Sequence, residues 1–451
     1  MKNTQPNLLN DSMVPLVLRL ALPASVGYFF NTMFNVVDTW WAGKISTDSL
    51  AALSLSFPIF MILLALIMGM GSGVGALIAN ALGAGKAHNA RSYQVQGFYL
   101  GAILLAVVLI PLGFALPWLF QLFKAEGTLL QAALSYTWII LLGAPFFLIN
   151  ALLNSGLTAR GDTKSFRNFL IIGFLVNLGL DPFFIVVIPL GEAGIALATV
   201  LVQLGGIGYM FWRFHKSGLM EGQTAEELRP NPKLWGEILG QSLPQMISMG
   251  SIAAGVFVIN HFVTQFGTTA LAAYGTAMRI EQIALLPTIG LSIALAAIVG
   301  QNNGAGNLKR VKQAFITTLL MGLVLWVALY TPLFFLAPHF MAFFNNKPEV
   351  VAQGDLYLKI QAITFMTYVV MNLSGSVLQG IKKPSALLWF GLSRQIVLPI
   401  PLFWLLVTIL GLGLAGIWWG LVLVNGIAAL ATLFWASRQL HIARITSVDA
   451  N

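Results

Sequence analysis

The stretch Asn31-Thr-Met-Phe-Asn35-Val-Val-Asp38-Thr-Trp-Trp-Ala-Gly43 places an aspartate inside an apolar segment that is long enough to cross a bilayer. On a helix, Asn31, Asn35 and Asp38 occupy positions i, i+4 and i+7, so they form one polar stripe. A carboxylate there costs roughly 2.5–3.5 kcal/mol on insertion scales, so we interpret Asp38 as a functional residue with a partner elsewhere. The alternative is that Asp38 joins helices by a hydrogen bond, a role that an asparagine fills at lower cost.

The composition is that of a polytopic membrane protein. Hydrophobic residues make up 58% and charged residues 9% of the 451 residues, with a mean hydropathy of +0.84. Soluble domains have about 45–50% apolar and about 25% charged residues. The absence of cysteine excludes disulfides and thiolate metal sites. We attribute the net charge of +9 to basic loops on one side of a membrane, not to nucleic-acid binding.

The hydropathy pattern predicts twelve membrane helices, each built on a core of about 20 residues. A polar stretch separates two groups of six. The predicted helices lie near 14–43, 50–80, 93–121, 128–158, 166–189, 191–214, 237–266, 270–300, 310–341, 352–379, 385–410 and 412–437.

Basic residues predict the orientation of these helices. Of the 24 lysines and arginines, 17 lie on the side of the termini, three lie on the opposite side, and four lie within helices: Arg19, Arg279, Lys359 and Arg394. The positive-inside rule therefore places both termini in the cytoplasm. We predict a multi-pass protein of a bacterial-type plasma (inner) membrane, with membrane lipid around it and a monomeric state.

The two groups of helices are an internal repeat. Asp48-Ser-Leu-Ala-Ala52 aligns with Thr269-Ala-Leu-Ala-Ala273, and Gly83-Ala-Gly85 aligns with Gly304-Ala-Gly306. Both pairs of segments are separated by 221 residues, a separation that we call the repeat offset. Parallel six-helix repeats are a transporter architecture. We predict an N-lobe at 1–216, a solvated cytoplasmic linker at 217–236 and a C-lobe at 237–451. The glycines of the second helix, from Gly69 to Gly75, are interpreted as helix-packing positions.

Only three acidic residues, Asp38, Asp181 and Glu281, lie well inside the predicted helices, and the first two lie at similar depths in one lobe. Counted at 1.5 Å per residue, Asp38 lies about 8 Å, Asp181 about 12–14 Å and Thr199 about 12 Å below the outer edge. Asn177 shares a helix face with Asp181. Carboxylate, amide and hydroxyl oxygens suit a hard cation such as Na⁺, and paired carboxylates also hold a shared proton, so both H⁺ and Na⁺ remain open.

Two further residues have alternative interpretations. Pro23 lies in the middle of the first helix and removes a backbone hydrogen bond, which predicts a kink that is either a hinge or static. Glu281 lies in the eighth helix, about 16 Å from its outer end. Glu281 binds a cationic substrate, joins a second coupling site, or pairs with Arg394 or Lys359.

The chain resembles the multidrug and toxic compound extrusion (MATE) family along essentially its whole length. The resemblance rests on five segments: Asn35-Val-Val-Asp38, Asn177-Leu-Gly-Leu-Asp181-Pro182, Gly194-Ile-Ala-Leu-Ala-Thr199, Ala277-Met-Arg-Ile-Glu281 and Gly300-Gln-Asn-Asn-Gly-Ala305. It implies that Asp38, Asn177, Asp181 and Thr199 form an N-lobe cation site and that the first helix bends at Pro23. Asn35 and Glu281 are secondary candidates from the sequence pattern. The tenth helix has no acid over residues 360–378, where some branches carry the acids of a C-lobe cation site, so a C-lobe sodium site is incomplete here. The N-lobe pair resembles the DinF-like branch, which favours proton coupling without excluding Na⁺.

The predicted function is therefore cation-coupled export of amphipathic, often cationic drugs in exchange for H⁺ or Na⁺, by alternating access and without a cofactor. The alternative within transport is a flippase for lipids or lipid-linked oligosaccharides, which requires a strongly cationic cavity. We predict no enzyme activity, since neither His-Glu-x-x-His nor Gly-x-Ser-x-Gly occurs. A channel is disfavoured because no filter-like segment repeats.

Overall fold

The computed structural model describes residues 6–448, with side chains described through residue 442. In this part of the chain, twelve helices are long and apolar enough to cross a membrane. They are α1 (Met13–Ile45), α2 (Thr47–Gly83), α3 (Ala87–Leu122), α4 (Gly127–Ala159), α5 (Lys164–Val187), α6 (Glu192–Lys216), α7 (Pro232–Phe266), α8 (Thr268–Gly304), α9 (Leu308–Phe344), α10 (Pro348–Gly380), α11 (Ser385–Ile409) and α12 (Gly413–Val448). The predicted all-α membrane fold with twelve helices is confirmed.

Most helices extend a few residues beyond the predicted apolar segments. The second helix, for example, was predicted at 50–80, and α2 runs from Thr47 to Gly83. Its first turn is capped by Ser46, whose side chain accepts a hydrogen bond from the amide of Ser49 at 2.9 Å. Hydropathy underestimates such ends because the capping residues are polar.

The chain divides into two compact units. The first unit comprises Val26–Met246, and the second comprises Pro6–Ser25 together with the chain from Ile247 onward. The first unit thus contains the segment predicted as a linker and the beginning of α7, whereas the second contains the beginning of α1. The sequence prediction divided the lobes in chain order and did not foresee that two helices contribute to both units.

Each unit has its own apolar core. In the first unit, α4 lies at the centre and packs on α2, α3 and α6, while α5 packs on α6. In the second unit, α10 takes the central place and packs on α8, α9 and α12. Leu16, Val17 and Leu20, from the beginning of α1, belong to the core of the second unit. The repeat detected in the sequence is therefore visible in the packing, because α4 and α10 occupy equivalent places.

Close approaches at glycines place α1 and α7 at equivalent points of the repeat. A Cβ added to Gly69 of α2 would lie 2.4 Å from Met246 Cγ of α7, within the first unit. A Cβ added to Gly290 of α8 would lie 2.1 Å from Ser25 Oγ of α1, within the second unit. The repeat offset separates the two glycines, and it also separates Ser25 from Met246. The glycine positions of α2 thus serve helix packing, as the sequence predicted.

The segment between α6 and α7 is not a freely solvated loop. Glu227 has no exposed side-chain surface and accepts hydrogen bonds from Arg91 Nε of α3 at 3.0 Å to each carboxylate oxygen. His88 Nδ1 lies 2.6 Å from the same carboxylate. The expectation of a solvated linker was wrong for Glu227, because α3 offers a charged partner that cannot be read from the linker sequence.

Candidate functional site

Aromatic packing sets α1 against α5 inside the first unit. Phe30 and Phe34 of α1 lie edge-on to Phe174 of α5, with ring centroids 5.5 and 5.8 Å apart. A Cβ at Gly173 of α5 would lie 3.4 Å from the Phe34 ring, an ordinary van der Waals distance, so the two helices are in contact at this position. This contact fixes the rotation of α1, and Asp38, one turn beyond Phe34, is buried as a result.

The end of α5 changes its winding directly after the second acid. The α-helical part of α5 ends at Pro182, and a π-helical turn follows over Phe183–Val187. Pro182 has no N–H, so it cannot bond the carbonyl of Leu178 four residues earlier. The next amide, that of Phe183, bonds to the carbonyls of Gly179 and Leu180. Such π-turns often mark functional sites, and this one begins two residues after Asp181.

A tight turn brings α6 back beside α5. Gly191 adopts a φ of +60°, a left-handed conformation that favours glycine. A Cβ at Gly194 would lie 3.0 Å from both the carbonyl oxygen and the Cβ of Phe184, so this position also requires a small residue. The resulting close packing sets Thr199 of α6 beside the acids of α1 and α5.

Asp38, Asn177, Asp181 and Thr199 converge in the structure, and we call these four residues the acid cluster. The Asn177 amide donates from Nδ2 to Asp181 Oδ2 at 2.7 Å and to Asp38 Oδ1 at 3.4 Å. Thr199 Oγ1 donates to Asp38 Oδ2 at 3.3 Å. Asp181 and Asn177 are essentially inaccessible, with 0% and 1% exposure. Three helices thus contribute to one hydrogen-bonded polar cluster in an apolar core.

The donors of the acid cluster are neutral, and two of its oxygens have no donor. In the described part of the chain, the ion pairs engage Glu227, Asp162 and Asp355 and neither acid of the cluster. Asn177 Oδ1 and Asp181 Oδ1 are buried without a hydrogen-bond partner there. A buried negative charge without a cation is costly. The arrangement therefore offers oxygen ligands to a proton or to a small hard cation.

Other members of the predicted set lie outside the acid cluster. Asn35 is exposed, and its side-chain amide donates to the backbone carbonyl of Asn31 at 3.3 Å. Of the three residues in the polar stripe of α1, only Asp38 is therefore buried, while Asn31 and Asn35 are exposed. Pro23 lies within α1 two residues before the chain passes from the second unit to the first. Glu281 belongs to the second unit, where Tyr357 Oη donates to its carboxylate at 2.8 Å.

The expected pairing of Glu281 with a cation is not found. Lys359 instead bonds Asp355 at 2.7 Å, and Arg394 Nη1 donates to Asn425 Oδ1 at 3.0 Å. Asp355 lies closer to Lys359 than Glu281 does, and Asn425 lies closer to Arg394 than Glu281 does. The sequence could not show these distances. Among the described residues, Glu281 thus makes no direct ion pair with Lys359 or Arg394, although Arg394 acts on it electrostatically from a longer distance.

Tyr136 of α4 is a residue that the sequence reasoning missed. It lies within electrostatic range of both Asp38 and Asp181. Its neighbour Thr137 shares a hydrogen bond with Ser56 of α2 at 2.7 Å, which fixes this part of α4 inside the first unit. A signal was present in the sequence, because the repeat offset relates Tyr136 to another tyrosine, Tyr357.

Comparison with known proteins now supplies the family. The MatE family model matches the chain twice, over residues 23–183 and 244–405, which together exceed half of its length. The chain belongs to the MatE family. The starting points of the two matches are separated by the repeat offset, so each match corresponds to one copy of the internal repeat.

Relatives and solved structures agree with this membership. The FAD transporter of Shewanella oneidensis is 27% identical over 98% of this chain and 98% of its own. The multidrug export protein MepA of Staphylococcus aureus is 23% identical, with 92% of each chain covered. A solved structure of MATE in the bent conformation has a TM-score of 0.92 and 25% identity, covering 98% of both chains.

Membership in MatE decides the class of activity. The chain is a multidrug-efflux type membrane transporter, with twelve candidate spanning helices in its described part, and not an enzyme, as the sequence predicted. Its place in the DinF-like branch stays a prediction.

Proposed function

We propose that this MatE protein is an antiporter that exports amphipathic, often cationic compounds by alternating access, driven by H⁺ or Na⁺ entering at Asp38 and Asp181. The observation that carries the proposal is the acid cluster, in which two buried carboxylates share one amide donor and have no cationic partner in the described chain. Helices α1, α5 and α6 each contribute to it.

The coupling follows from charge balance inside a medium of low dielectric. Two neighbouring carboxylates repel each other, and their repulsion is greatest where water is excluded. A proton, a sodium ion or a cationic substrate relieves that repulsion, so the three compete for the same negative charge. Asn177 Oδ1 and Asp181 Oδ1 have no hydrogen-bond partner in the described chain, so they are the atoms that an entering cation would bind.

Helix α1 connects this binding event to a change of conformation. It carries Asp38 on its second half, and Pro23 removes one backbone hydrogen bond between its two halves. A cation bound at Asp38 weakens the hydrogen bonds that its carboxylate accepts from Asn177 of α5 and Thr199 of α6, so the second half of α1 can bend at Pro23 and release the bound compound. Alternating access then interconverts two states that differ in their affinity for cation and substrate.

The setting that we propose is a bacterial-type plasma (inner) membrane. Both termini lie in the cytoplasm, because 17 of the 24 basic residues belong to the loops and ends on that side. The protein acts as a monomer surrounded by lipid. An outward route for the drug and an inward route for the cation follow from this orientation.

The deciding experiment is transport in proteoliposomes that contain the purified full-length protein, with a proton gradient or a sodium gradient imposed separately. Wild-type protein is expected to move a cationic dye under at least one gradient. Asp38→Asn is expected to lower this rate by at least about a hundredfold, since the amide cannot carry the charge that the coupling ion neutralises. Glu126→Gln, which removes an acid just before α4, is the matched control and is expected to transport normally.

Each result has one meaning for the proposal. Wild-type transport by Asp38→Asn under the driving gradient would overturn the coupling role of Asp38. Equal transport with and without any gradient would overturn antiport. The gradient that drives the dye identifies the ion.

A second candidate substrate class is anionic and flavin-like. Arg279 favours it, because in the described part of the chain this arginine of α8 has no hydrogen-bonded or ion-paired side-chain partner. The Shewanella relative is named an FAD transporter, and the pyrophosphate of FAD is an anion of the kind that arginine binds. FAD added to the same proteoliposomes tests this class: uptake of FAD and not of the dye would replace the cationic substrate by the anionic one.

The flippase alternative finds less support. Of the four basic residues within the spans, Lys359 is paired with Asp355 and Arg394 with Asn425, so neither is free to hold a pyrophosphate. Arg19 also has a partner in the described chain. One remaining guanidinium does not make a strongly cationic cavity.

A further inference from the structure

A positive charge lies deep within α11, and the proposed coupling mechanism does not use it. Arg394 is about 14 Å from Ser385, the first residue of that helix. Its side chain is half-buried, and the residue belongs to the second unit. A guanidinium cannot lower the cost of its burial by losing a proton. An ionisable residue inside a spanning helix is therefore a functional candidate by default.

The direct partners of Arg394 are neutral. Nη1 donates to Asn425 Oδ1 of α12 at 3.0 Å, and the guanidinium carbon lies 5.5 Å from the centroid of the Tyr368 ring of α10. The Tyr368 hydroxyl interacts with the side chains of both Arg394 and Asn425. Within the described residues, no carboxylate oxygen comes within 4.0 Å of the Arg394 nitrogens. Glu281 acts on Arg394 from a longer distance, so it does not occupy the donors of the guanidinium.

Asn425 is held in an orientation that turns its oxygen toward the guanidinium. Its side-chain amide donates from Nδ2 to the carbonyl of Leu421, one turn earlier, at 2.8 Å, and the residue is 3% exposed. Because Nδ2 is committed to that carbonyl, Oδ1 is the atom that Arg394 meets. One guanidinium with Nη1 engaged is insufficient for a pyrophosphate. Its further N–H donors are sufficient for a single carboxylate.

The backbone around Arg394 is wound differently from the equivalent backbone of the first unit. Residues Ser393–Val397 form a π-helical turn of α11. By the repeat offset this turn corresponds to residues 172–176, which are regular α-helix in α5. The π-turn of the first unit, Phe183–Val187, corresponds instead to the other π-turn of α11, Trp404–Ile409. The turn at Arg394 is therefore an addition of the second unit, and such turns often mark functional sites.

The residue that occupies the place of Arg394 in the first unit is Gly173. A Cβ at Gly173 would lie 2.8 Å from Val202 Cγ1 of α6, so α5 and α6 leave no room for a side chain there. In the second unit, the same position of the repeat carries a long, charged side chain. This difference supports a role for Arg394 beyond helix packing, because a glycine satisfies the packing at the equivalent point.

We propose that Arg394, Asn425 and Tyr368 form an anion-binding site in the second unit, which binds the carboxylate group of an amphipathic organic acid. Arg394 supplies the positive charge and the donors, since arginine recognises carboxylates through paired hydrogen bonds. Asn425 and Tyr368 hold the guanidinium in place, and the Tyr368 ring offers an apolar surface to the carbon skeleton of the ligand. The proposal goes beyond the coupling role of Asp38 and Asp181, since it concerns a group of opposite charge in the other unit.

The test is equilibrium binding to the purified full-length protein in lipid nanodiscs at low salt. Radiolabelled benzoate is the probe, and benzamide, its neutral analogue of the same shape, is the matched ligand control. Wild-type protein is expected to bind benzoate saturably and benzamide at least about tenfold more weakly. Arg394→Gln is expected to lower the affinity for benzoate at least about tenfold, because the amide has no charge to pair with the carboxylate.

Arg438→Gln is the matched protein control. Arg438 of α12 also lies over an aromatic ring, 5.6 Å from the centroid of Trp435, but its side chain is exposed. This variant is expected to bind benzoate as the wild type does. Chloride is added as a competitor in a separate series. Displacement of benzoate by chloride at a lower concentration than by unlabelled benzoate would make a halide the ligand and overturn the assignment to organic acids.

The remaining outcomes also decide the proposal. Loss of saturable benzoate binding in Arg394→Gln together with unchanged binding in Arg438→Gln supports it. Equal binding of benzoate and benzamide, equal binding by the wild type and Arg394→Gln, or no saturable binding to the wild type overturns it. If Arg394→Gln does not fold, Arg394→Lys serves instead, and the proposal requires weaker but saturable benzoate binding, because an ammonium group lacks the paired donors. None of these results depends on transport, so failure here is distinct from failure of the Asp38 coupling role.

Discussion

The first unit buries two acids side by side, Asp38 and Asp181, whereas the second unit buries Glu281 alone among aromatic rings. Both units have the same arrangement of helices around a central one, α4 or α10, and both place a tyrosine of that helix near the acid. The position that corresponds to Asp38 is Ile259, so the second unit lacks the acid of α1. A duplicated scaffold therefore does not imply a duplicated site. The packing is repeated, while the acids differ between the copies.

A pair and a single acid differ in how they respond to substitution. In the first unit, Asp181→Asn is expected to abolish export of a cationic dye as completely as Asp38→Asn does, because each acid is effective only beside the other. The double variant is expected to be no worse than either single variant. Initial rates in proteoliposomes under the driving gradient measure this. Losses that multiply would show that the two acids act independently and would contradict the shared site.

The prolines of α1 and α7 provide a second comparison. Pro23 and Pro244 are related by the repeat offset, and each lies a few residues before the point where its helix passes from one unit to the other. We expect Pro23→Ala to slow export roughly tenfold, since a straighter α1 disfavours one of the two states. Pro244→Ala is expected to stay within about twofold of the wild type, because α7 carries no acid beyond its proline. Export rates measured at matched expression decide, and equal losses would remove the special role of α1.

The smallest effect on transport is expected for Glu227, an acid outside the spans that has a permanently charged partner, Arg91. Burial by itself would raise the pKa of Glu227, but hydrogen bonds from Arg91, the amide of Thr224 and His88, together with the charge of Arg91, hold the pKa below its usual value. Glu227 therefore stabilises the fold above its ordinary pKa, and this contribution is lost as the pH falls through the lowered value.

We expect Glu227→Gln to lower the Tm near neutral pH and to reduce the loss of Tm on acidification, while the dye export rate stays close to that of the wild type. Thermal unfolding of the purified protein from about pH 7 to about pH 3 measures both effects. Glu226→Gln, at the exposed neighbouring position, is expected to change neither. A variant Glu227→Gln with an unchanged Tm at every pH would show that the buried ion pair does not stabilise the protein.

Much of the architecture could be predicted because a bilayer restricts what a spanning segment can be. Every backbone polar group must be bonded within its own helix, so apolar length predicts helices and their number. The constant repeat offset revealed the duplication without structural information. The helix ends were less accurate, since capping residues such as Ser46 are polar and lie outside the apolar segments.

The candidate site was predictable in its composition and less so in its geometry. Asp38 and Asp181 were singled out because acids are rare inside the spans, Thr199 because of its similar depth, and Asn177 because it shares a helix face with Asp181. Asn35 was grouped with Asp38 because the two residues lie three positions apart on one helix, and the structure separates them. Tyr136 was missed, since a tyrosine in an apolar helix is unremarkable until its neighbours are known.

The sequence alone determined the membrane class, the twelve helices, the repeat and the few acids buried within the spans, since all of these depend on apolar length and on the cost of burying charge. The tertiary structure decided which side of α1 faces inward, which oxygens of the acid cluster lack a donor, and that Glu281 meets Tyr357 and no cation among the described residues. It also decided that Glu227 is buried beneath α3 and that α1 and α7 contribute to both units. The physical reason is that periodicity defines a face on one helix, whereas the rotation of that face toward a neighbour depends on side-chain packing between helices distant in the chain.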